Sequence, residues 1–479
     1  MTSPAIVWLR DDLRIADNPA LAAAVASKRQ LIVLFVLDDE TPGRWRIGGA
    51  SRWWLHHSLQ ALTRDVEKKG AMLTLRRGRA DEIVLDLVRE AGVSAVFWNR
   101  CYEPHAIARD KALKEKLIAK GVEATSFSGA LMNEPWTVKT KTGDPFKVFT
   151  PFWRACLQLE VRDPAPAPKK IEGFEKPLAS DKLADWHLLP SRPNWAKGFG
   201  PAWTPGEAGA KRALNAFIED RLEHYSDGRD MLGIEGTSRL SPHLHFGEIS
   251  PVQVRRAVEA AAMHEPRLQR GADKFLTELG WRDFSANLLF HWPTLPQANW
   301  RARFDAFIWN DDDAAFDAWT KGRSGYPVVD AAMRELWVTG YMHNRARMIT
   351  ASFLIKHLLI DWRRGEEWFW DTLVDADLGN NAASWQWVAG SGADASPYFR
   401  IFNPVTQGER YDADGAYVRR WVPELAKLPD DVIHSPWAAP ADVLAKAGVE
   451  LGVTYPEPIV DHAAARERAL AAFAALPKG

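Results

Sequence analysis

Cysteine is almost missing. Two residues, Cys101 and Cys156, stand in a chain of 479, with no C-x-x-C, so neither a disulfide framework nor a thiolate zinc site is implied. A charge excess of one sign is missing too: 61 Lys+Arg against 62 Asp+Glu leave −1, which removes any bulk-charge argument for a polyanion partner and leaves only a local basic patch. No run approaches the roughly 18 apolar residues of a membrane span, and the start MTSPAIVWLRDDLR lacks the apolar core of a signal peptide, so a cytoplasmic protein off the membrane is expected. There is no internal repeat, no P-loop and no G-x-S-x-G. At 46% hydrophobic and 26% charged residues, disorder and fibrous repeats are excluded. The length calls for about two or three domains.

Tryptophan is what the chain has in plenty. Twenty-three Trp stand against 21 Phe and 8 Tyr, and eleven of them fall between Trp281 and Trp387, where an even spread would put about five. A large core accounts for some of them. Their clustering points to something that uses π-faces: a cofactor, a flat ligand or an electron path.

The first 130 residues alternate β-rich runs (Ala5–Leu9, Leu31–Leu37, Met72–Arg76, Ala95–Trp98, Glu123–Phe127) with helical periods (Leu21–Ala26, Ser51–Lys68, Asp81–Glu90, His105–Lys120). Such alternation predicts an α/β fold with a doubly wound, parallel, five-stranded sheet, its ligand at the carboxyl ends of the strands. From about Gly129 to Gly206 the pattern dissolves, with eight prolines between Pro164 and Pro205, and reads as a long loop. After Glu207 the period becomes 3.6 and stays there. The expected division is therefore 1–130, an α/β domain; 131–206, a linker; and 207–479, an all-helical domain.

Two familiar patterns lack their context. GSGADA (Gly390–Ala395) fits a dinucleotide string but follows a helical pattern instead of a strand, and His243 with His245 has no third metal ligand beside it. Three stretches of the helical half are more telling. Thr237–Pro242 sets three hydroxyls and a cation before a helix, with Ser241 as the expected N-cap and Pro242 first in the helix, a turn that aims donors at an anion. His343–Met348 opens a buried helix on which Asn344, Arg347 and Met348 share a face while Arg345 points about 100° away. In Asp375–Trp387, Asn381 and Trp385 share a face, whereas Trp385 and Trp387 look about 200° apart, so one indole can face a cofactor and the other a separate cavity.

Taken together, VWLRDDLRIADNPAL, EGTSRLSPHLHFGEIS, ELGWRDF, SGYPVVDAAMRELWVTGYMHNRARM, LLIDWRRGE and DADLGNNAASWQWVAGSGADASPYFRIFNP resemble the DNA photolyase/cryptochrome family over nearly the whole chain, and most closely its cyclobutane pyrimidine dimer photolyases. The resemblance implies an α/β antenna domain, a long loop and a helical domain holding FAD. It implies a monomer that acts on UV-damaged DNA, in which light-excited reduced flavin passes an electron to a pyrimidine dimer, the ring bonds split and the electron returns.

By the same resemblance, Tyr225, Thr237, Ser238, Arg239, Leu240 and Ser241 contact the FAD diphosphate and its neighbourhood, and Asn344, Arg347, Asp375 and Asp377 surround flavin and ribose. Asn381 stands at flavin N5, where a neutral amide bonds without adding charge. A dimer must leave the duplex to reach a buried flavin. Trp281 and Trp387 match the indoles of the lesion cavity, with Asn344 and Met348 at the same surface, and Glu278 matches the carboxyl that meets the pyrimidine edge. The plain alternative for Glu278 is an ordinary i,i+4 ion pair with Arg282. Arg229, Arg282, Arg345 and Arg400 match phosphate contacts, which would supply the local basic patch. Trp385, Trp362 and Trp309 match an electron relay to the surface. Glu103 matches the acid that holds an antenna of the 5,10-methenyltetrahydrofolate type, with a deazaflavin or second flavin as the alternative.

A cryptochrome-type blue-light receptor shares fold and cofactor. Repair is favoured by Asn381 and Trp387, where plant cryptochromes usually carry Asp and Tyr, and by the absence of a long tail. The (6-4) photoproduct is disfavoured because a histidine pair would then fall at Asn344 and Met348.

Overall fold

Five short runs form a fully parallel sheet in the order β3-β2-β1-β4-β5: β1 (Ala5–Leu9), β2 (Leu31–Leu37), β3 (Leu73–Arg77), β4 (Ala95–Asn99) and β5 (Glu123–Phe127). The computed structural model describes residues 3–395 and 399–477; Ser396–Tyr398, inside the last family motif, lie outside the described residues. β1, β2 and β4 are buried throughout, as strands covered on both faces must be. Ala5, Val7 and Leu9 point to a core shared with the helices Pro19–Ala26 and Gly49–Lys68. Ile6 and Trp8 point to the opposite core, with Ala80–Ala91 and Pro104–Ala119. The order reverses between β1 and β4, and the crevice at their carboxyl ends is where a doubly wound sheet takes ligands.

The stretch read as a loop carries structure of its own. Phe149–Cys156 is a helix, short and with Pro151 in its first turn, where proline is tolerated; Phe149, Phe152 and Cys156 are its buried face. Farther on, Ile171 is fully buried and Gly173 bridges Leu31 beside the sheet. One side chain ties the parts together: Arg14, 1% exposed, donates to the carbonyls of Asp17, Gly129 and Gly247.

From Glu207 onward the regular structure of the described residues is helical, joined by turns and loops, with one isolated bridge, Leu451 to Tyr455. The largest core cluster lies here, among Pro327–Thr339, Asn344–Ser352, Trp362–Thr372 and Leu378–Ala389. The apolar run after His343 is one α-helix only to Ser352; it then widens into a π-helical turn, Phe353–His357. GSGADA begins at Gly390, the left-handed C-cap of Leu378–Ala389, a helix stop and not a nucleotide loop.

Candidate active site

The switch-point crevice is a real cleft. It encloses about 630 Å³, open mouth included, between the sheet and the helical half. Asp11 and Asp12 follow β1, Asn99–Glu103 end β4, and His245, Arg282 and Asp377 close it from the other side. Asn99 fixes its floor by donating to Asp12 at 2.6 Å and Asn18 at 2.8 Å. Loss of water at the wall, with the negative charges of Asp11 and Asp377, lifts the Glu103 carboxyl to about 7. Tyr102 forms part of the wall, and Trp136 packs near it, with the Arg100 guanidinium 5.5 Å from the Trp136 ring.

Across the helical half, Thr237, Ser238 and Arg239 are half-buried and Ser241 is exposed. Ser241 is not the N-cap: Leu240 occupies that position without a side-chain bond, and Ser241 is inside the turn Ser241–His245. The chain rises into it through Arg239 at φ 53°, and the Leu240 N–H reaches Ser238 Oγ at 3.3 Å, which leaves the Ser241 hydroxyl for something else. The Arg239 guanidinium lies 4.2 Å from the Trp203 ring and 4.7 Å from the Tyr341 ring. Tyr225 is buried, its phenol pushed up by burial.

Arg347 and Asp375 form a two-pronged pair at 3.0 and 2.7 Å, with Asp375 3% exposed at the side chain. His343, brought down to about 4 by burial, caps the Arg347 helix as a neutral ring by accepting the Arg345 N–H. Arg345 points away as the helix geometry requires, to Asp230 at 2.9 Å and over Tyr411 at 4.4 Å. Asn344 is exposed, with its amide 4.0 Å from Met348 Sδ. Asp377 caps Leu378–Ala389 by accepting from Asn380. Asn381 is buried, its amide donating to the Glu366 carbonyl at 2.9 Å.

Glu278 and Arg282 part company. Glu278 pairs with Arg229 at 2.9 Å and Lys274 at 3.0 Å, while Arg282 donates to the carbonyls of Ala130 and Leu244 and lines the Glu103 cleft. The plain alternative, an i,i+4 pair of Glu278 with Arg282, does not form. Trp281 is stacked on Phe149 at 3.7 Å and 9°. Trp387 packs against the largest core cluster on the neighbouring helix. Arg400 is exposed.

Trp385 and Trp362 are buried in that cluster, and half-buried Trp309 packs on its edge. Trp362 is anchored by its indole N–H to Asn299 Oδ1 at 3.0 Å. Trp385 meets Phe369 at 5.0 Å and Trp319 at 6.4 Å, ring centre to ring centre. Trp309 leans on Phe307 at 4.4 Å. Two residues of this region escaped sequence reasoning. Gly365 is needed because a Cβ there would stand 2.1 Å from the Trp385 ring; its only signal was the isolated glycine of WRRGE. Glu366 is fully buried with neither carboxylate oxygen bonded in the described structure, and burial pushes its carboxyl well up.

Comparison with known proteins places this geometry. Residues 5–169 match the family described as DNA photolyase, and residues 275–475 the FAD binding domain of DNA photolyase. The chain is 54% identical over 478 residues to a deoxyribodipyrimidine photo-lyase of Agrobacterium fabrum, covering 100% of this chain and 99% of the other. It is 40% identical to cryptochrome-2 of Arabidopsis thaliana over 98% of this chain and 78% of that one. Among solved structures, a bacterial class III photolyase from Agrobacterium tumefaciens superposes with a TM-score of 0.95 at 54% identity, covering 99% and 98% of the two chains. A Synechocystis cryptochrome reaches 0.89 at 29% identity, covering 98% and 99%.

Proposed function

The chain belongs to the DNA photolyase/cryptochrome family, and from that premise we infer that it is a light-driven DNA repair lyase that splits cyclobutane pyrimidine dimers. The observation that carries this is the identity of 54% across both full lengths to a deoxyribodipyrimidine photo-lyase, against 40% to a cryptochrome. FAD, bound and reduced, supplies on absorbing blue light the electron that opens the dimer.

The residues present suit that cofactor. The Thr237, Ser238 and Ser241 hydroxyls and the Arg239 cation form a donor-rich turn for a diphosphate. Asp375 is neutralised by Arg347, and Asn381 is buried with its amide orientation fixed by the Glu366 carbonyl. Asn344 and Asp377 complete the set, with Tyr225 and Leu240 as apolar walls. Asn381 is a donor and acceptor that carries no charge, which suits the N5 edge of the ring.

For DNA, Glu278, Trp281 and Trp387 are proposed for the flipped dimer and Arg229, Arg345 and Arg400 for phosphates, with Met348 and Asn344 between them. Arg282, matched to a phosphate contact by resemblance, is assigned instead to the Glu103 cleft, which it lines together with Glu103 and Asp377. That cleft is proposed for the antenna. A carboxyl poised near neutrality and the Tyr102 ring suit a flat, polar-edged ring of the methenyltetrahydrofolate type. Trp385, Trp362 and Trp309 are proposed to re-reduce the flavin from the surface. The protein is proposed to be monomeric and cytoplasmic, with domains at 1–130 and 207–479; none of its described helices is long and apolar enough to cross a membrane.

The test is repair of a dimer-containing oligonucleotide under blue light with reduced FAD. Monomer bases should return in light and not in darkness. Equal rates in both, or none in light, would reject the reading. The absorption spectrum before and after chromophore release identifies the antenna.

A further inference from the structure

Lys356 lies on the π-helical turn Phe353–His357 and is 1% exposed. A buried ammonium is costly unless its charge is met, and no carboxylate among the described residues pairs with it. Its Nζ lies 3.6 Å from the centre of the Phe399 ring and donates to the Arg400 carbonyl at 3.1 Å. Phe399 is stacked in turn on Phe473 of the helix His462–Ala474, at 4.5 Å and 9°. A parallel ring so close leaves no room for an ammonium on its own side, so lysine and Phe473 take opposite faces. Arg303, 5.3 Å from Phe473, ends the stack.

We propose that Lys356 is a positioning residue for DNA binding, anchoring the Phe399–Arg400 segment from inside the protein and so fixing the point from which the exposed Arg400 side chain reaches a phosphate. The proposal rests on the reading of Arg400 as a phosphate contact. An apolar side chain would fill the same space, but only an ammonium both attracts the ring face and donates to the carbonyl.

Burial brings Lys356 down to about 7, so its charge changes around neutral pH. The titratable and charged groups around this turn are His357, His462, Arg468, Arg400, Arg303 and Glu366. His357 is brought down to about 3 by burial, and His462, from the C-terminal helix, is also held below its ordinary value. Burial also raises the carboxyl of Glu366, on the adjoining Trp362–Thr372 helix. As pH rises through 7 the amine keeps its bond to the carbonyl and loses its hold on the ring.

The experiment uses the FAD-loaded protein, as wild type, Lys356→Met and Arg400→Ala. It measures amide exchange at Phe399–Asn403, corrected for intrinsic rates, and affinity for a thymine-dimer oligonucleotide from about pH 6 to about pH 8.5. At the acid end, Lys356→Met should exchange about tenfold faster and bind about threefold to tenfold more weakly than wild type. The gap should narrow as pH rises. A Lys356→Met protein that matches wild type in both measurements, or a gap that ignores pH, overturns the proposal. If Arg400→Ala binds like wild type, the reading of Arg400 fails first, and the proposal with it. Should Lys356→Met not fold, the wild-type exchange series against pH decides alone: loosening above neutrality supports the proposal and a flat profile rejects it.

Discussion

Arg229 Nη1 stands 2.9 Å from Glu278 Oε1, so two residues proposed for different parts of DNA, a phosphate and a pyrimidine edge, neutralise each other in the free protein. Lys274 shares the same carboxylate oxygen at 3.0 Å. Glu278 thus sets how much positive charge this rim shows before DNA arrives.

Glu278→Ala is expected to release both cations and strengthen binding to undamaged DNA, with a steeper salt dependence. Loss of one charged hydrogen bond should lower discrimination in favour of a dimer by about tenfold. Competition between damaged and undamaged oligonucleotides at two salt concentrations measures both.

Asp375→Ala leaves Arg347 without its partner. Breaking a mostly buried pair from one side costs about 3 kcal/mol, so the urea midpoint should fall and FAD should be retained poorly. Asp375→Asn, which keeps an acceptor, should lose less of each.

Gly365→Ala would drive a methyl into the Trp385 ring. Overpacking of about 1–3 kcal/mol is expected, together with slower light-driven reduction of oxidised flavin. Trp309→Phe should slow that reduction as well, with stability little changed. In both variants repair should be near normal once the flavin has been reduced chemically; flash absorption and a dithionite-reduced repair assay separate the two effects.

Glu366→Gln tests the unbonded acid. Burial raises the Glu366 carboxyl in the folded chain, so the folded state holds its proton more tightly than the unfolded one. That contribution to stability is complete below the ordinary carboxyl range and is lost as pH rises toward the raised value. The variant should therefore match wild type in urea at about pH 4 and be more stable at about pH 8.

The sheet was legible because its central strands are buried on both faces and read as unbroken apolar runs; only the ends of β3 and β4 moved, by one residue. Phe149–Cys156 was hidden by its length and by Pro151. The π-helical turn could not be read at all, since Phe353–Ile360 is apolar except at Lys356 and His357 and shows no period. Around the site, helix geometry alone turned Arg345 away from the face that carries Arg347, and the two pair with different carboxylates. The plain alternative of a Glu278–Arg282 pair is ruled out by the structure, where Arg282 turns to the carbonyls of Ala130 and Leu244. Ser241 moved one place into its turn because Arg239 takes a left-handed conformation, which local propensity does not suggest.

Arg14 gives the two halves a shared fate. Its donors reach the α/β half at Asp17, the start of the connecting stretch at Gly129 and the helical half at Gly247. Energy passing from a chromophore at one half to a flavin in the other falls steeply with their separation and mutual angle. With the proposed antenna bound, a guanidinium that meets all three segments away from water would help hold both quantities constant.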